Sequence, residues 1–198
     1  MKIDFDKGNG LVPAIVQDSE TLQVLMLGYM NADAVEKTRT SGLVTFYSRS
    51  RQTLWTKGET SGNTLSLEEM EVDCDNDTLL IKARPAGPTC HEGTISCFGD
   101  KGAQGVGFLS YLEQLIQGRK SAAPDSSYTA SLLNGPLHRA AQKVGEEGVE
   151  TALAAVAETD DKLVSEAADL IYHTLVLLAA KDVSFSDVIA ELQSRHKS

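Results

Sequence analysis

The chain has 198 residues, 41% of them hydrophobic and 23% charged, with five prolines and 16 glycines. This is the composition of an ordinary folded protein and excludes collagenous, low-complexity and disordered classes. Eighteen Lys and Arg against 28 Asp and Glu give a formal net charge of −10, which argues against a protein that clamps nucleic-acid backbones, because neutralising phosphates needs a basic surface.

Dividing the chain after Gly107 leaves ten basic against 15 acidic residues before the cut and eight against 13 after it, so neither half hides a basic module. The first residues (Met1, Lys2, Ile3, Asp4) lack the apolar core of a signal peptide, and no stretch reaches the roughly 18 apolar residues of a membrane span. The expectation is a cytoplasmic protein with no membrane and no nucleic acid among its partners. Three cysteines cannot all pair within one chain, and in a reducing compartment they are free thiols or metal ligands.

In chain order, residues 11–17, 21–27, 43–47, 64–72, 78–83 and 94–98 read as short β-prone runs bounded by turn residues. One helix interrupts them: Asn31 is a good N-cap, Met30 and Val35 stand at hydrophobic-staple spacing, and Gly42 supplies a left-handed stop. The N-terminal half is therefore a strand-rich α+β domain. Segment 99–107 (GDKGAQGVG) has no apolar periodicity and reads as a linker, placing the domain boundary near residue 104, with domains 1–104 and 105–198.

Beyond it the period turns helical. Phe108, Leu112, Leu115 and Ile116 stripe one helix that can stop at Gly118, and 119–131 reads as a polar connector. Further helices are expected over 137–157, over 162–180 with Leu163, Ala167, Leu170, Ile171, Thr174 and Leu178 on one side, and from Ser184 onward. The second half is an all-α bundle of four helices, small enough that its core is expected to complete itself in a homodimer.

Three constellations carry chemistry. Cys74, Cys90 and Cys97 cluster within one region with His91 beside them. Three soft thiolates suit zinc and leave a fourth position for water, whereas the bland alternative is thiols that fill core. Asp73, Asp75 and Asp77 alternate and, on a strand, would share one face and offer hard oxygens to magnesium, although such a run is also an ordinary solvated turn.

The second is Ser48-Arg49-Ser50-Arg51 followed by Trp55, Lys57, Thr60 and Ser61 between Gly58 and Gly62, a loop able to wrap phosphate with Trp55 as a stacking face; the alternative is an exposed basic hairpin. The third is Glu146-Glu147-Gly148-Val149-Glu150 with Glu166-Ala167-Ala168-Asp169. The i,i+3 pairs Glu147/Glu150 and Glu166/Asp169 on two antiparallel helices could converge four carboxylates on Mg²⁺, with Arg139 and Lys143 nearby to meet phosphate. A solvated acidic helix face is the alternative.

The strings GLVPAIVQD (10–18), LMLGYMNADAVEKT (25–38), SRSR (48–51), WTKGETSGN (55–63), DCDND (73–77) and CHEGTISCF (90–98) together resemble the phosphoribosyl-AMP cyclohydrolase family. SYTASLL (127–133), KVGEEGVE (143–150) and EAAD (166–169) resemble phosphoribosyl-ATP pyrophosphohydrolases, relatives of the MazG-like all-α nucleotide pyrophosphohydrolases. The match covers nearly the whole chain in the order of the fused bifunctional histidine-biosynthesis family.

The resemblance implies cleavage of phosphoribosyl-ATP to phosphoribosyl-AMP and pyrophosphate by the second domain, then opening of the purine ring of phosphoribosyl-AMP between N1 and C6 by the first. It implies Zn²⁺ on Cys74, Cys90 and Cys97, contributed across a dimer interface, Mg²⁺ on Asp73, Asp75 and Asp77, and His91 as general base. Arg49, Arg51, Trp55, Lys57, Thr60, Ser61 and Lys143 would meet substrate. In the second domain Glu147, Glu150, Glu166 and Asp169 would hold Mg²⁺, with Glu147 orienting the attacking water. The competing reading, a zinc nucleotide deaminase fused to a housecleaning NTP pyrophosphohydrolase, calls for an HxE…PCxxC signature that the chain lacks.

Overall fold

A computed structural model describes residues 2–99 and 101–196. Met1, Asp100 of the glycine-rich segment and the last two residues lie outside the described residues. The chain divides into two compact units, Met1–Phe108 and Leu109–Ser198.

The first unit is built on a four-stranded sheet in the order β2-β1-β6-β5, formed by β1 (Val12–Asp18), β2 (Val24–Met30), β5 (Leu65–Val72) and β6 (Leu79–Pro85). β1 and β6 run parallel and the outer pairs antiparallel. The alternation of β1, buried at Val12, Ala14 and Val16, places one face on a core completed by Leu25, Met30, Phe46, Leu65, Leu79 and Ile81.

Helix α1 (Ala32–Ser41) follows β2 for the reasons read from sequence. The Asn31 side chain accepts from the Ala34 N–H at 2.9 Å, Met30 and Val35 are both buried, and Gly42 closes the helix at φ 70°. Its buried Thr38 hydroxyl donates to the Ala34 carbonyl (2.8 Å) and accepts from the Thr45 N–H (2.9 Å), tying the helix to the following strand.

A hairpin of β3 (Thr45–Ser48) and β4 (Thr53–Thr56) pairs Phe46 with Trp55. The sequence analysis did not assign β4: its Thr-Leu-Trp-Thr has strand propensity, but the surrounding Ser, Arg and Gly signal loop. Conversely, 94–98 is not a strand. Its backbone turns back on its own loop, with the Cys90 N–H donating to the Thr94 carbonyl (3.0 Å), and it meets β2 through Ser96, whose hydroxyl donates to the Val24 carbonyl (2.8 Å).

The second unit is helical: α2 (Gly107–Gly118, which begins just before the division), a 3₁₀ turn at Pro124–Ser126, α3 (Tyr128–Leu133), α4 (Leu137–Ala157), α5 (Asp160–Ala180) and α6 (Phe185–Arg195). Among the described residues there are five α-helices here rather than four, because α3 lies partly in the expected connector. It is a short element, started by a Ser127 side chain that accepts from the Ala130 N–H at 3.1 Å. A Ser184–Asp187 capping box starts α6.

Contrary to the expectation that no stretch could span a membrane, α5 is long and apolar enough by length and composition to do so. Its Leu175, Val176 and Ala179 instead pack on Ile116 and Leu132 in the core of this unit, and it carries a buried Glu166 and His173. That core is small, and Val149, Leu153 and Val156 on α4 with Val164 and Ile171 on α5 stay exposed.

Candidate active sites

In the first unit two turns carry the candidate ligands. Residues 73–77 form the turn joining β5 to β6, so the three aspartates are gathered by a turn and not by alternation on a strand. Carboxylate oxygens of Asp73, Asp75 and Asp77 lie within 4.8 Å of one another. Asp73 Oδ1 accepts the backbone N–H groups of Asp77 and Thr78 at 3.0 and 3.1 Å, and the Lys7 ammonium reaches Asp75 at 2.9 Å and Asp77 at 3.3 Å. That contact holds the Asp75 carboxyl below its ordinary range.

Cys90 and Cys97 both lie in the loop after β6, near enough for each to shift the other's thiol. The Glu92 backbone N–H, then the Thr94 hydroxyl, hold the Cys90 thiol low, while burial, then the Cys90 charge, push Cys97 up against the pull of the Lys57 ammonium. His91 is exposed, with Nδ1 3.9 Å from the Cys90 sulfur.

Cys74 is not with them. The Cys97 N–H donates to the Leu25 carbonyl of edge strand β2 at 2.8 Å, whereas Cys74 sits in the β5–β6 turn with β1 between. Strands spaced about 4.8 Å apart separate β2 from β5 by roughly 14 Å, while thiolates sharing one zinc each sit about 2.3 Å from the ion. Within one chain Cys90 and Cys97 are therefore together and Cys74 is apart; Phe98, next to Cys97, and Val24 and Leu27 of β2 are exposed.

The basic loop lies on the hairpin. Arg49 and Arg51 are exposed in the β3–β4 turn, and the Arg49 guanidinium stacks 3.9 Å from the centre of the Tyr29 ring. Trp55 packs against Phe46 at the rim of the core, ring centres 5.1 Å apart, which takes up a ring read above as a stacking face for a ligand. Lys57 opens the next turn, where Thr60 and Ser61 are exposed. Gly58 adopts φ +82°, and a Cβ there would stand 2.3 Å from the Asn63 carbonyl carbon, so this turn requires glycine.

In the second unit α4 and α5 bring Glu147, Glu150 and Glu166 together, with carboxylate oxygens within 4.8 Å of one another and both Glu147 and Glu166 buried. Asp169 does not join them: one turn beyond Glu166, it is exposed, and its carbonyl accepts from His173 Nδ1 at 2.9 Å. Lys143 bridges Glu146 and Glu147, 2.9 Å from each, and Lys162 pairs with Glu166. Its two glutamates hold the Lys143 ammonium well above the usual range. Desolvation, then the charges of Glu147 and Glu166, push the Glu150 carboxyl up.

Sequence reasoning missed His173, which is buried with Nδ1 3.6 Å from Glu147 and Nε2 3.1 Å from the Tyr128 hydroxyl. The available signal was its spacing, seven residues or two turns after Glu166 on one face of α5. Lys162, four residues before Glu166, carried the same signal.

Family models match both units: phosphoribosyl-AMP cyclohydrolase over residues 26–99 and phosphoribosyl-ATP pyrophosphohydrolase over residues 109–196. The whole chain is similar to histidine biosynthesis bifunctional protein HisIE of Vibrio vulnificus strain YJ016, 58% identical over 198 residues (99% of this chain and 94% of the relative). It is 54% identical to the protein of that description from Bacteroides thetaiotaomicron (100% and 98% covered), and 56% to that from Shigella sonnei strain Ss046 (99% and 96%). The chain belongs to this bifunctional family. It is thus a hydrolase of histidine biosynthesis with a cyclohydrolase unit and a pyrophosphohydrolase unit, acting on nucleotide substrates. The cysteine and aspartate turns fall within the first of these matches and the carboxylate trio within the second.

Proposed function

We propose that the helical unit hydrolyses phosphoribosyl-ATP to phosphoribosyl-AMP and pyrophosphate, and that the strand-rich unit then adds water to C6 of phosphoribosyl-AMP and opens the N1–C6 bond. The observation that carries the first step is the carboxylate trio. Three carboxylates so close, two of them buried, favour a cation, and Lys143 on Glu147 and Lys162 on Glu166 supply only part of that charge. The hard oxygen donors fit Mg²⁺, which when bound would neutralise triphosphate charge. Glu147 orients the attacking water while Lys143 turns from its glutamates toward phosphate. His173, held by Tyr128 and the Asp169 carbonyl, fixes the Glu147 carboxylate from behind.

For ring opening, the soft thiol pair Cys90 and Cys97 fits zinc, which when bound would lower the pKa of water toward neutrality. The third thiolate, Cys74, comes from a second copy, so the active unit is a homodimer. The exposed apolar residues beside the thiol pair and along α4 and α5 support that reading. His91 takes the proton of the attacking water, Arg49, Arg51, Lys57, Thr60 and Ser61 hold phosphate and ribose, and Asp73, Asp75 and Asp77 bind Mg²⁺ once Lys7 yields. Thiolate ligands persist in a reducing compartment, which fits the cytoplasm.

Incubation with phosphoribosyl-ATP, following pyrophosphate release and ring opening separately, tests both steps. Release without ring opening in zinc-loaded dimer, or the reverse in magnesium, removes the corresponding half of the proposal.

A further inference from the structure

A cavity of about 550 Å³ opens between α3 and the first turns of α4, lined among others by Tyr128, His138, Arg139, Gln142, Lys143 and Glu146. Its charges are sorted along α4. At one end Glu146 is already engaged, accepting from Lys143 at 2.9 Å and from the Gln142 amide at 2.7 Å, and these contacts hold its carboxyl low. At the other end Arg139 and His138 are exposed and make no side-chain hydrogen bond or ion pair among the described residues. Lys143 is spent on Glu146 and Glu147, so the unpaired charge of the cavity is that of Arg139 with His138 beside it, and in a chain of net charge −10 that end suits an anion.

Its position says which anion. Lys143 joins the cavity to the carboxylate trio through Glu147 at 2.9 Å, so a substrate whose triphosphate lies on the trio extends into the cavity. Arg139 stands eight residues before Glu147, or about 12 Å along the helix axis at 1.5 Å per residue. That end of the cavity is therefore open to a second anionic group. Phosphoribosyl-ATP, however, has a second anionic end, the 5′-phosphate of the ribose on N1, held away from the triphosphate by the purine and two sugars. ATP lacks that end.

We infer that the Arg139 end of this cavity, with His138 beside it, is the subsite for the phosphoribosyl 5′-phosphate, and that it selects phosphoribosyl-ATP over ATP. This deepens the pyrophosphohydrolase reading above and rests on it. The planar guanidinium makes two parallel N–H···O bonds to a phosphate monoester, and the imidazole offers a further N–H donor. Tyr128 lines the cavity and also donates to His173, so a filled cavity steadies the group behind Glu147.

The test compares kcat/KM for pyrophosphate release from phosphoribosyl-ATP, from its 5′-dephosphorylated form and from ATP, in the full-length protein and in Arg139→Gln. The wild type is expected to prefer the phosphorylated substrate, and the variant to lose on the order of 10- to 100-fold of that preference, the worth of hydrogen bonds to a charged group. Arg139→Lys should restore part of it, and His138→Ala should lose less. Arg139 is exposed, so a folding defect is not expected; if one occurred it would lower all three substrates together. A preference unchanged in Arg139→Gln, or no preference in the wild type, overturns the subsite. A wild type that releases pyrophosphate from none of the three overturns the underlying reading instead, and the subsite with it.

Discussion

Replacing Glu147 with Gln should stop pyrophosphate release while leaving the metal-free protein close to its original stability. The buried Glu147 carboxylate lies 2.9 Å from the Lys143 ammonium, an attraction of about 6 kcal/mol at an effective dielectric of 20. It also lies within 4.8 Å of both Glu150 and Glu166, whose charges repel it. Those repulsions oppose the attraction, Lys143 keeps Glu146 as a partner, and the amide oxygen of Gln can still accept a hydrogen bond. The net change in unfolding free energy without metal should therefore stay within about 1–2 kcal/mol. With magnesium and substrate present the balance differs, because the lost charge is one of three that meet the cation and the one placed to orient water. A loss on the order of 10²- to 10³-fold in kcat is expected from removing a preorganised electrostatic contact of this kind. Pyrophosphate release measured across a magnesium titration, ring opening of supplied phosphoribosyl-AMP, and thermal unfolding in chelator read the three quantities apart. An unaffected rate would remove Glu147 from the site. Loss of ring opening as well, in a folded variant, would refute two separate centres, and a large drop in stability would make Glu147 a structural residue.

Cys97→Ser should do the reverse: zinc content and ring opening fall, phosphoribosyl-ATP is still consumed, and phosphoribosyl-AMP accumulates by chromatography; full retention of zinc would remove Cys97 from the metal site. If each zinc site takes Cys90 and Cys97 from one copy and Cys74 from the other, then mixing inactive Cys74→Ser and Cys97→Ser chains, unfolded and refolded together, restores up to about a quarter of wild-type ring opening, since half of the dimers carry one intact site of two. No recovery, or a fully active monomer by sedimentation at nanomolar concentration, contradicts the shared site. Gly58→Ala forces a side chain into φ +82° against the Asn63 backbone; it should destabilise the strand-rich unit by about 1–3 kcal/mol in chemical denaturation and weaken phosphoribosyl-AMP binding through Lys57, and a neutral effect would show that the turn relaxes freely.

Where local physics decides the structure, the sequence was legible. Asn31, the Met30–Val35 staple and Gly42 set both ends of α1 because each acts within one turn of the chain, and the i,i+3 pattern placed Glu147 and Glu150 on one face of α4 in advance. Errors arose where a tertiary partner overrode composition. Thr53 to Thr56 became a strand because Phe46 and Trp55 pair across the hairpin, in a stretch whose arginines and serines signal loop. Residues 94–98 had strand composition, but no sheet strand pairs with them along their length, and the Ser96 hydroxyl takes the β2 carbonyls instead.

The same distinction runs through the two sites. The carboxylate trio is closed by two helices adjacent in sequence, so spacing alone nearly assembles it. Asp169 dropped out because one turn after Glu166 it faces solvent, and the next buried polar side chain on α5, His173, stands 3.6 Å from Glu147 instead. The cysteines are the opposite case. Their spacing of 16 and 7 residues suggests one cluster, yet the sheet carries Cys74 away on the β5–β6 turn and leaves Cys90 and Cys97 against the edge of β2. A three-thiol site then requires a second copy to bring its turn to that edge, where Phe98, Val24 and Leu27 already offer an apolar surface. If the three thiolates share one zinc, as proposed above, the fold that separates them within one chain makes assembly a condition of ring opening. It places no such condition on the carboxylates of the helical unit, which meet within a single chain.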